Sequence, residues 1–257
     1  MQPPPASTDR DQLAPTIRSV PLGRPFAWLQ AGWRDLRANP FASLAYGLLF
    51  AIAGDLITIF AWRRGQLFIV ATSGFFLVAP LLAGGLYEIS RRFESGQTSS
   101  FVTSLAGGRR NAAELLMLGV LLAATGFAWE RISTLLFALL APNIAPDLLT
   151  LLAEIHFSTD HRDLLLIWIL MGGTVALFVF AVTVISVPLL LDRPADFRTA
   201  MLTSLRAVDR NLLVMALWGA IIVALTAIGF LTLFFGLIVL MPLIGHASWH
   251  AYRDLVE

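Results

Sequence analysis

Two histidines near the C-terminal end of the chain are spaced so that both could act on one ligand. His246 and His250 lie four residues apart in Gly-His-Ala-Ser-Trp-His, and residues four apart share one face of a helix. This spacing can hold a metal ion, or one imidazole can ligate a haem iron. Asp254 is the one carboxylate within a helical turn. The alternative is structural, because a histidine at a helix end can cap carbonyls or contact lipid headgroups.

A single carboxylate interrupts an apolar run. Asp55 lies past the middle of the run Phe41–Ala61. An ionisable group in hydrocarbon is costly and marks a functional site by default, such as part of an ion path. The alternative is pairing with an arginine at similar depth, for which Arg63 and Arg131 are candidates.

Glu130 and Arg131 are adjacent residues of opposite charge at the predicted end of another apolar run. Both side chains are tolerated at the outer interface of a membrane, where burial costs little. We interpret this pair as structural and keep function as the alternative.

Composition excludes most other chemistry. The chain has no cysteine, so it has no disulfide, thiolate metal site or thiol nucleophile. We find no phosphate-binding loop, nucleophile elbow or dinucleotide fingerprint. The sequence therefore predicts neither an enzyme nor a bound cofactor. The net charge of +1 argues against nucleic-acid binding.

The elements that must position these residues are membrane helices. Hydrophobic residues make up 57% of the 257 positions and charged residues 14%, whereas soluble domains have roughly 45–50% and about 25%. The run Leu212–Trp249 has 38 residues without an acid or arginine. As one helix it would be about 57 Å long, so we expect two spans with a turn near Gly229. The six expected spans are 41–61, 67–87, 112–131, 164–191, 212–228 and 231–249.

The arginines predict the orientation. Fourteen of the 18 basic residues flank the spans on the side of the N-terminus, and the others are Arg63, Arg64, Arg131 and Arg162. Basic residues concentrate on the cytoplasmic side, so both ends should be cytoplasmic in an inner membrane. Residues 1–20 read as a disordered tail, and residues 21–257 as one membrane domain. The outer segment 142–162 reads as a short amphipathic helix that caps the bundle.

The chain also shows signs of a threefold repeat. Asn39 and Asn211 each precede a span with an aromatic-glycine pair at the same offset, and Pro80, Pro188 and Pro242 recur within spans. Matching internal repeats in membrane proteins often place a site on their shared axis. We predict three units, each an interfacial helix followed by a helical hairpin. The interfacial helices are expected at 25–38, 98–110 and 195–209.

The amphipathic connectors should lie in the membrane interface. In the first, an apolar face is expected to contain Phe26, Leu29, Trp33 and Leu36, with Asp35 away from it. Such helices anchor a loop, and their functional alternative is binding of anionic lipids or a partner. The side chains expected at headgroup depth are Trp28, Trp33, Arg34, Arg37, Arg198 and Arg206.

Four segments of the chain carry a family resemblance: VPLGRPFAWLQAGWRDLRANP, FFLVAPLLAGGLYEISRR, SVPLLLDRPADFRTAMLTSLRAV and GLIVLMPLIGHASWHAYRDL. By these segments the chain resembles a bacterial family of integral membrane proteins of unknown function, some members of which are labelled as cytochrome c oxidase subunits. The resemblance covers roughly residues 18–255. It implies a six-span inner-membrane protein and supplies no catalytic residues.

Three functions follow as hypotheses. The first is a non-catalytic accessory or assembly subunit of a larger membrane complex, which the label suggests is respiratory. The second is a transporter or a lipid- or small-molecule-handling protein with a site on the repeat axis. The third is haem or metal binding at His246 and His250.

Overall fold

The computed structural model describes residues 15–61, 70–71, 74–75, 79–140 and 162–257. Within these ranges the chain is all-helical, as expected, apart from an isolated bridge between Ile17 and Val256. A 3₁₀ helix, Gly107–Asn111, follows α4. The α-helices are α1 Arg24–Ala38, α2 Pro40–Ala61, α3 Gly84–Glu94, α4 Phe101–Leu105, α5 Ala112–Leu140, α6 Arg162–Thr183, α7 Ser186–Asp192, α8 Phe197–Arg210, α9 Leu212–Leu231 and α10 Leu237–Leu255.

Four helical stretches of the described chain are long and apolar enough to cross a membrane: Pro40–Phe60, Phe101–Leu140, Asp163–Asp192 and Leu212–Leu231. Eight of the 21 residues of the expected second span, and residues 142–161 of the expected outer segment, lie outside the described residues. The six-span topology therefore stays a prediction.

Two helix boundaries differ from the sequence expectation. The expected span 164–191 is broken between α6 and α7. Pro188 accounts for the break, because its ring clashes with the carbonyl of Val184 in a regular helix. The turn between α9 and α10 covers residues 232–236, after Gly229 rather than at it. There Leu233 and Phe234 adopt positive φ angles of 52° and 65°, a conformation that costs energy in residues other than glycine.

The helix α10 is the centre of the fold and packs on α1, α2 and α3. Glycines let these helices approach closely. A Cβ added to Gly47 of α2 would lie 2.0 Å from the carbonyl oxygen of Ile238, and one added to Gly32 of α1 would lie 2.7 Å from the amide nitrogen of Ala247. Backbone therefore packs on backbone along α10, as is common where small residues line membrane-helix contacts.

The packing of α1 differs from the sequence expectation at Asp35. The sequence pattern places Asp35 away from the apolar face, but the side chain is buried together with Gly32. Phe26 and Trp33 of the expected apolar face are exposed, and Leu36 of that face is buried. The sequence pattern did not anticipate the burial of Asp35, because small residues and a carboxylate form the contact with α10.

The two joints that motivated the repeat share a local geometry. Asn39 and Asn211 end α1 and α8 with φ angles of −129° and −123°, and each donates its backbone N–H to the carbonyl four residues earlier. Asn111, which precedes the expected third span at the corresponding place, lies instead in the 3₁₀ helix. The threefold repeat stays a prediction.

The described start of the chain lies beside its end. Ile17 bridges Val256, and the guanidinium of Arg18 donates to the carboxylate of Glu257 at 2.5 Å. Residues 15–20 of the expected disordered tail are therefore placed, while residues 1–14 lie outside the described residues.

Candidate functional site

A continuous chain of hydrogen bonds lies where α1, α2, α3 and α10 meet. His246 Nε2 is 2.8 Å from Ser43 Oγ, and His246 Nδ1 is 2.8 Å from Ser90 Oγ. Ser90 Oγ donates to Asp35 Oδ2 at 2.5 Å, and the same oxygen lies 2.9 Å from His250 Nε2. We call these five residues the Asp35–His246 network.

The network is buried at one end and reaches the surface at the other. His246 and Ser43 are fully buried, and Asp35 is 4% exposed. The His250 side chain is 24% exposed. Buried polar groups are tolerated only when their hydrogen bonds are satisfied, and each member of this network has a partner.

Counting protons shows that the network accepts His246 in two states. Because the Ser90 hydroxyl donates to Asp35, His246 Nδ1 must donate to Ser90. In neutral His246 the Ser43 hydroxyl then donates to Nε2. In protonated His246, Nε2 donates to Ser43, whose hydroxyl donates to the carbonyl oxygen of Asn39 at 2.7 Å. The five side chains can therefore stay connected in either protonation state of His246, while the Ser43 hydroxyl turns from Asn39 to His246 when Nε2 loses its proton.

The order serine, histidine, carboxylate resembles that of a nucleophilic triad. Ser43 is fully buried between α2 and α10, however, and a nucleophile must reach its substrate. The arrangement instead joins four helices through their side chains.

The two histidines belong to the same polar network; metal or haem binding by this pair stays a prediction. They are joined by Asp35, which His250 contacts directly and His246 contacts through Ser90. In the described part of the chain, no three His, Asp or Glu side chains are grouped to hold a metal ion.

A second buried carboxylate lies on α3. Glu88 is fully buried and accepts hydrogen bonds from Arg91 at 2.7 and 2.8 Å and from Arg92 at 2.7 Å. Arg110 of the 3₁₀ helix lies 3.5 Å away. Burial raises the pKa of Glu88, but the arginine hydrogen bonds outweigh burial and leave the pKa below its ordinary value. Glu88 is therefore a charged anchor for arginines.

The C-terminal end of α10 carries another polar contact. Asp254 accepts hydrogen bonds from Arg24 at 2.6 and 2.9 Å and from the Trp28 indole at 2.8 Å. The hydrogen bond to Asp254 raises the pKa of Arg24 above its ordinary value. Trp28, expected at headgroup depth, is only 2% exposed and packs edge-on against Trp218.

The other expected interfacial side chains are exposed. They are Trp33, Arg34, Arg37, Arg198 and Arg206. This exposure is compatible with headgroup contact, which stays a prediction.

Asp55 is exposed on the outer face of α2. Its carboxylate makes no hydrogen bond or ion pair with another described residue. Arg131, one expected partner, pairs instead with the adjacent Glu130 and stacks over Phe127 at 5.3 Å. Arg63, the other expected partner, lies outside the described residues.

Sequence reasoning missed three members of the network, Asp35, Ser43 and Ser90. Asp35 was assigned to the solvated face of α1. The available signal was that α1 places Gly32 and Asp35 three residues apart, a small-residue face that can pack closely on another helix. No sequence signal distinguished Ser43 or Ser90 from other serines in apolar runs.

Comparison with known families agrees with this membrane architecture. Residues 67–192 match the model of a family described as "Predicted integral membrane protein (DUF2189)". The chain is similar to a membrane family of unknown function. The protein is thus an integral membrane protein, as its apolar helices indicate. No curated protein and no solved structure matches the chain.

Proposed function

We propose that the protein is a non-catalytic accessory or assembly subunit of a larger membrane complex, and that α2 contacts the partner. The observation that carries the proposal is Asp55. It lies fifteen residues after Pro40, about 22 Å along the helix. The exposed side chains around it are apolar: Leu48, Ile52, Leu56 and Ile59.

A carboxylate on such a face needs a partner. An acidic residue near the centre of a membrane helix costs about 2.5–3.5 kcal/mol on insertion scales. Intramembrane acids normally face the bundle interior, a water-filled cavity or an opposite charge. Because Asp55 faces outward and no described residue pairs with it, we infer that a second membrane chain supplies an arginine, a lysine or a hydrogen-bond donor.

Site-specific photo-crosslinking in the native membrane tests this interface. A photoreactive amino acid at position 56, next to Asp55, should give one discrete crosslinked product. The control is position 177, because Leu177 on α6 is also apolar and 69% exposed. Identical lipid-only labelling at both positions would contradict the proposal.

The Asp35–His246 network supports transport as a second candidate, because chains of ionisable groups carry protons in membrane transporters. A transporter of this kind should move protons when reconstituted alone in vesicles, and the flux should be lost in His246→Gln. An accessory subunit should show no flux. In either case we propose an inner membrane with both termini cytoplasmic, on the basis of the arginine distribution.

A further inference from the structure

A cavity of about 520 Å³ lies beside the network, between α2, α3, α4, α5 and α7. Its size is within the range of about 300–1,000 Å³ that is typical of ligand pockets. The walls are almost entirely apolar and include Phe50, Leu82, Leu105, Leu115 and Leu191. An apolar cavity in a membrane protein suits a hydrocarbon chain.

One polar wall interrupts the apolar lining. Tyr46 and Ser104 line the cavity and hydrogen-bond to each other at 2.7 Å between their hydroxyl oxygens. The close approach is made possible by Gly85, since a Cβ there would lie 1.8 Å from the Tyr46 hydroxyl. A buried hydroxyl without a hydrogen-bond partner is costly. Because Tyr46 and Ser104 bond to each other, neither hydroxyl needs a ligand as its partner.

Arginines stand at the edge of the cavity. Gly108 lines it, and the next two residues of the same 3₁₀ helix are Arg109 and Arg110, both exposed. Four arginines lie in this region: Arg91, Arg92, Arg109 and Arg110. The Glu88 carboxylate neutralises one of their four positive charges, which leaves three. The neighbouring Glu94, Asp192, Arg193 and Arg253 add no net charge, and Glu114 in the first turn of α5 lowers the balance to two positive charges.

The 3₁₀ helix is fixed in place over Glu88. A Cβ added to Gly107 would lie 2.8 Å from Glu88 Cγ, so only glycine allows this approach. Arg110 reaches the Glu88 carboxylate at 3.5 Å, whereas the Arg109 guanidinium makes no hydrogen bond or ion pair with another described residue. One guanidinium at the cavity edge is therefore available to an external anion.

We propose that this cavity binds one apolar chain of an anionic amphiphile, whose headgroup contacts Arg109 and Arg110. The entrance of the cavity lies beside α4, whose Val102 and Leu105 are exposed. A short amphipathic helix of this kind lies in the membrane interface. A phospholipid of the bilayer and a free fatty acid share this chemistry. The inference does not depend on the accessory role or on Asp55.

Native mass spectrometry of the full chain, released from nanodiscs of equal parts zwitterionic and anionic phospholipid, tests the proposal. One retained anionic phospholipid per chain identifies the bilayer as the source, and a bound fatty-acid mass identifies the free acid. Each basic residue near a membrane surface strengthens anionic-lipid binding, so Arg109→Gln/Arg110→Gln should lower retention roughly ten- to thirtyfold. Arg18→Gln/Arg210→Gln makes the same charge change on exposed arginines that do not line the cavity and should retain the ligand.

A second variant tests the cavity itself. Leu105→Trp should fill the apolar space and reduce retention, while Leu202→Trp on α8, which is also exposed, should not. The melting temperature of each variant reports whether it is folded. The proposal would be overturned if Arg109→Gln/Arg110→Gln and Leu105→Trp both retained as much lipid as the wild type. It would also be overturned if the wild type retained zwitterionic and anionic lipid equally.

Discussion

The contact between α2 and α10 predicts a sharp difference between two equivalent glycines. Gly47 and Gly219 follow an aromatic residue at the same offset from Asn39 and Asn211. A Cβ at Gly47 would lie 2.0 Å from a backbone oxygen of α10, whereas the nearest atom to a Cβ at Gly219 would be 3.8 Å away. The same change to alanine should therefore have opposite effects at the two positions.

The magnitudes follow from the two environments. At Gly47 the obstacle is the Ile238 backbone, so no side-chain rotation relieves it and α10 must move. Overpacking of this kind costs about 1–3 kcal/mol, against a gain of about 1 kcal/mol from the helix propensity of alanine. At Gly219 only the gain applies. We expect Gly47→Ala to be less stable than Gly219→Ala by roughly 1–3 kcal/mol.

Thermal unfolding in a mild detergent, followed by circular dichroism, measures the difference. Gly47→Ala should melt several degrees below the wild type and Gly219→Ala at or above it, since 1 kcal/mol shifts the melting temperature by about 2–4 °C in a chain of this size. Equal melting temperatures for the two variants would refute the close contact of α2 with α10.

Two further predictions concern buried polar groups. His246→Ala should lower the melting temperature more than His250→Ala, because it removes two buried hydrogen bonds, to Ser43 and Ser90, and leaves a cavity, while His250 is partly exposed; equal losses would contradict the network. Glu88→Gln should destabilise the protein near neutral pH by leaving Arg91 partly unpaired. Because the pKa of Glu88 is lowered on folding, its contribution is present above its ordinary pKa and is lost as the pH falls through the lowered value. The difference in melting temperature between wild type and Glu88→Gln should therefore shrink in acid, and a constant difference across the titration would count against the ion pair.

The long apolar helices could be predicted from the sequence because hydrocarbon thickness sets their length. The expected span 41–61 agrees closely with α2, Pro40–Ala61, and the expected interfacial helix 25–38 with α1, Arg24–Ala38. The last hairpin was placed less well. The sequence indicated a turn near Gly229, but the positive φ angles are those of Leu233 and Phe234. Neither leucine nor phenylalanine is typical of that backbone conformation, so the sequence did not predict it.

The candidate site was only half visible in the sequence. The spacing of His246 and His250 drew attention to the right helix face, but the sequence did not predict their partner Asp35, which His250 contacts directly and His246 contacts through Ser90. Periodicity placed Asp35 on the solvated face because it counts a carboxylate as polar. Packing decided otherwise, since Gly32 brings α1 so close to α10 that the side chains flanking it are buried.

The most direct test of the accessory role is to identify the proteins that are extracted from the native membrane together with this chain. Native mass spectrometry after extraction in mild detergent should show a second subunit in fixed stoichiometry. That subunit should be lost in Asp55→Leu and kept in Asp163→Asn, a control that neutralises an exposed acid at the start of α6. A wild-type chain that emerges without any protein partner, or a partner that survives Asp55→Leu, would contradict the account.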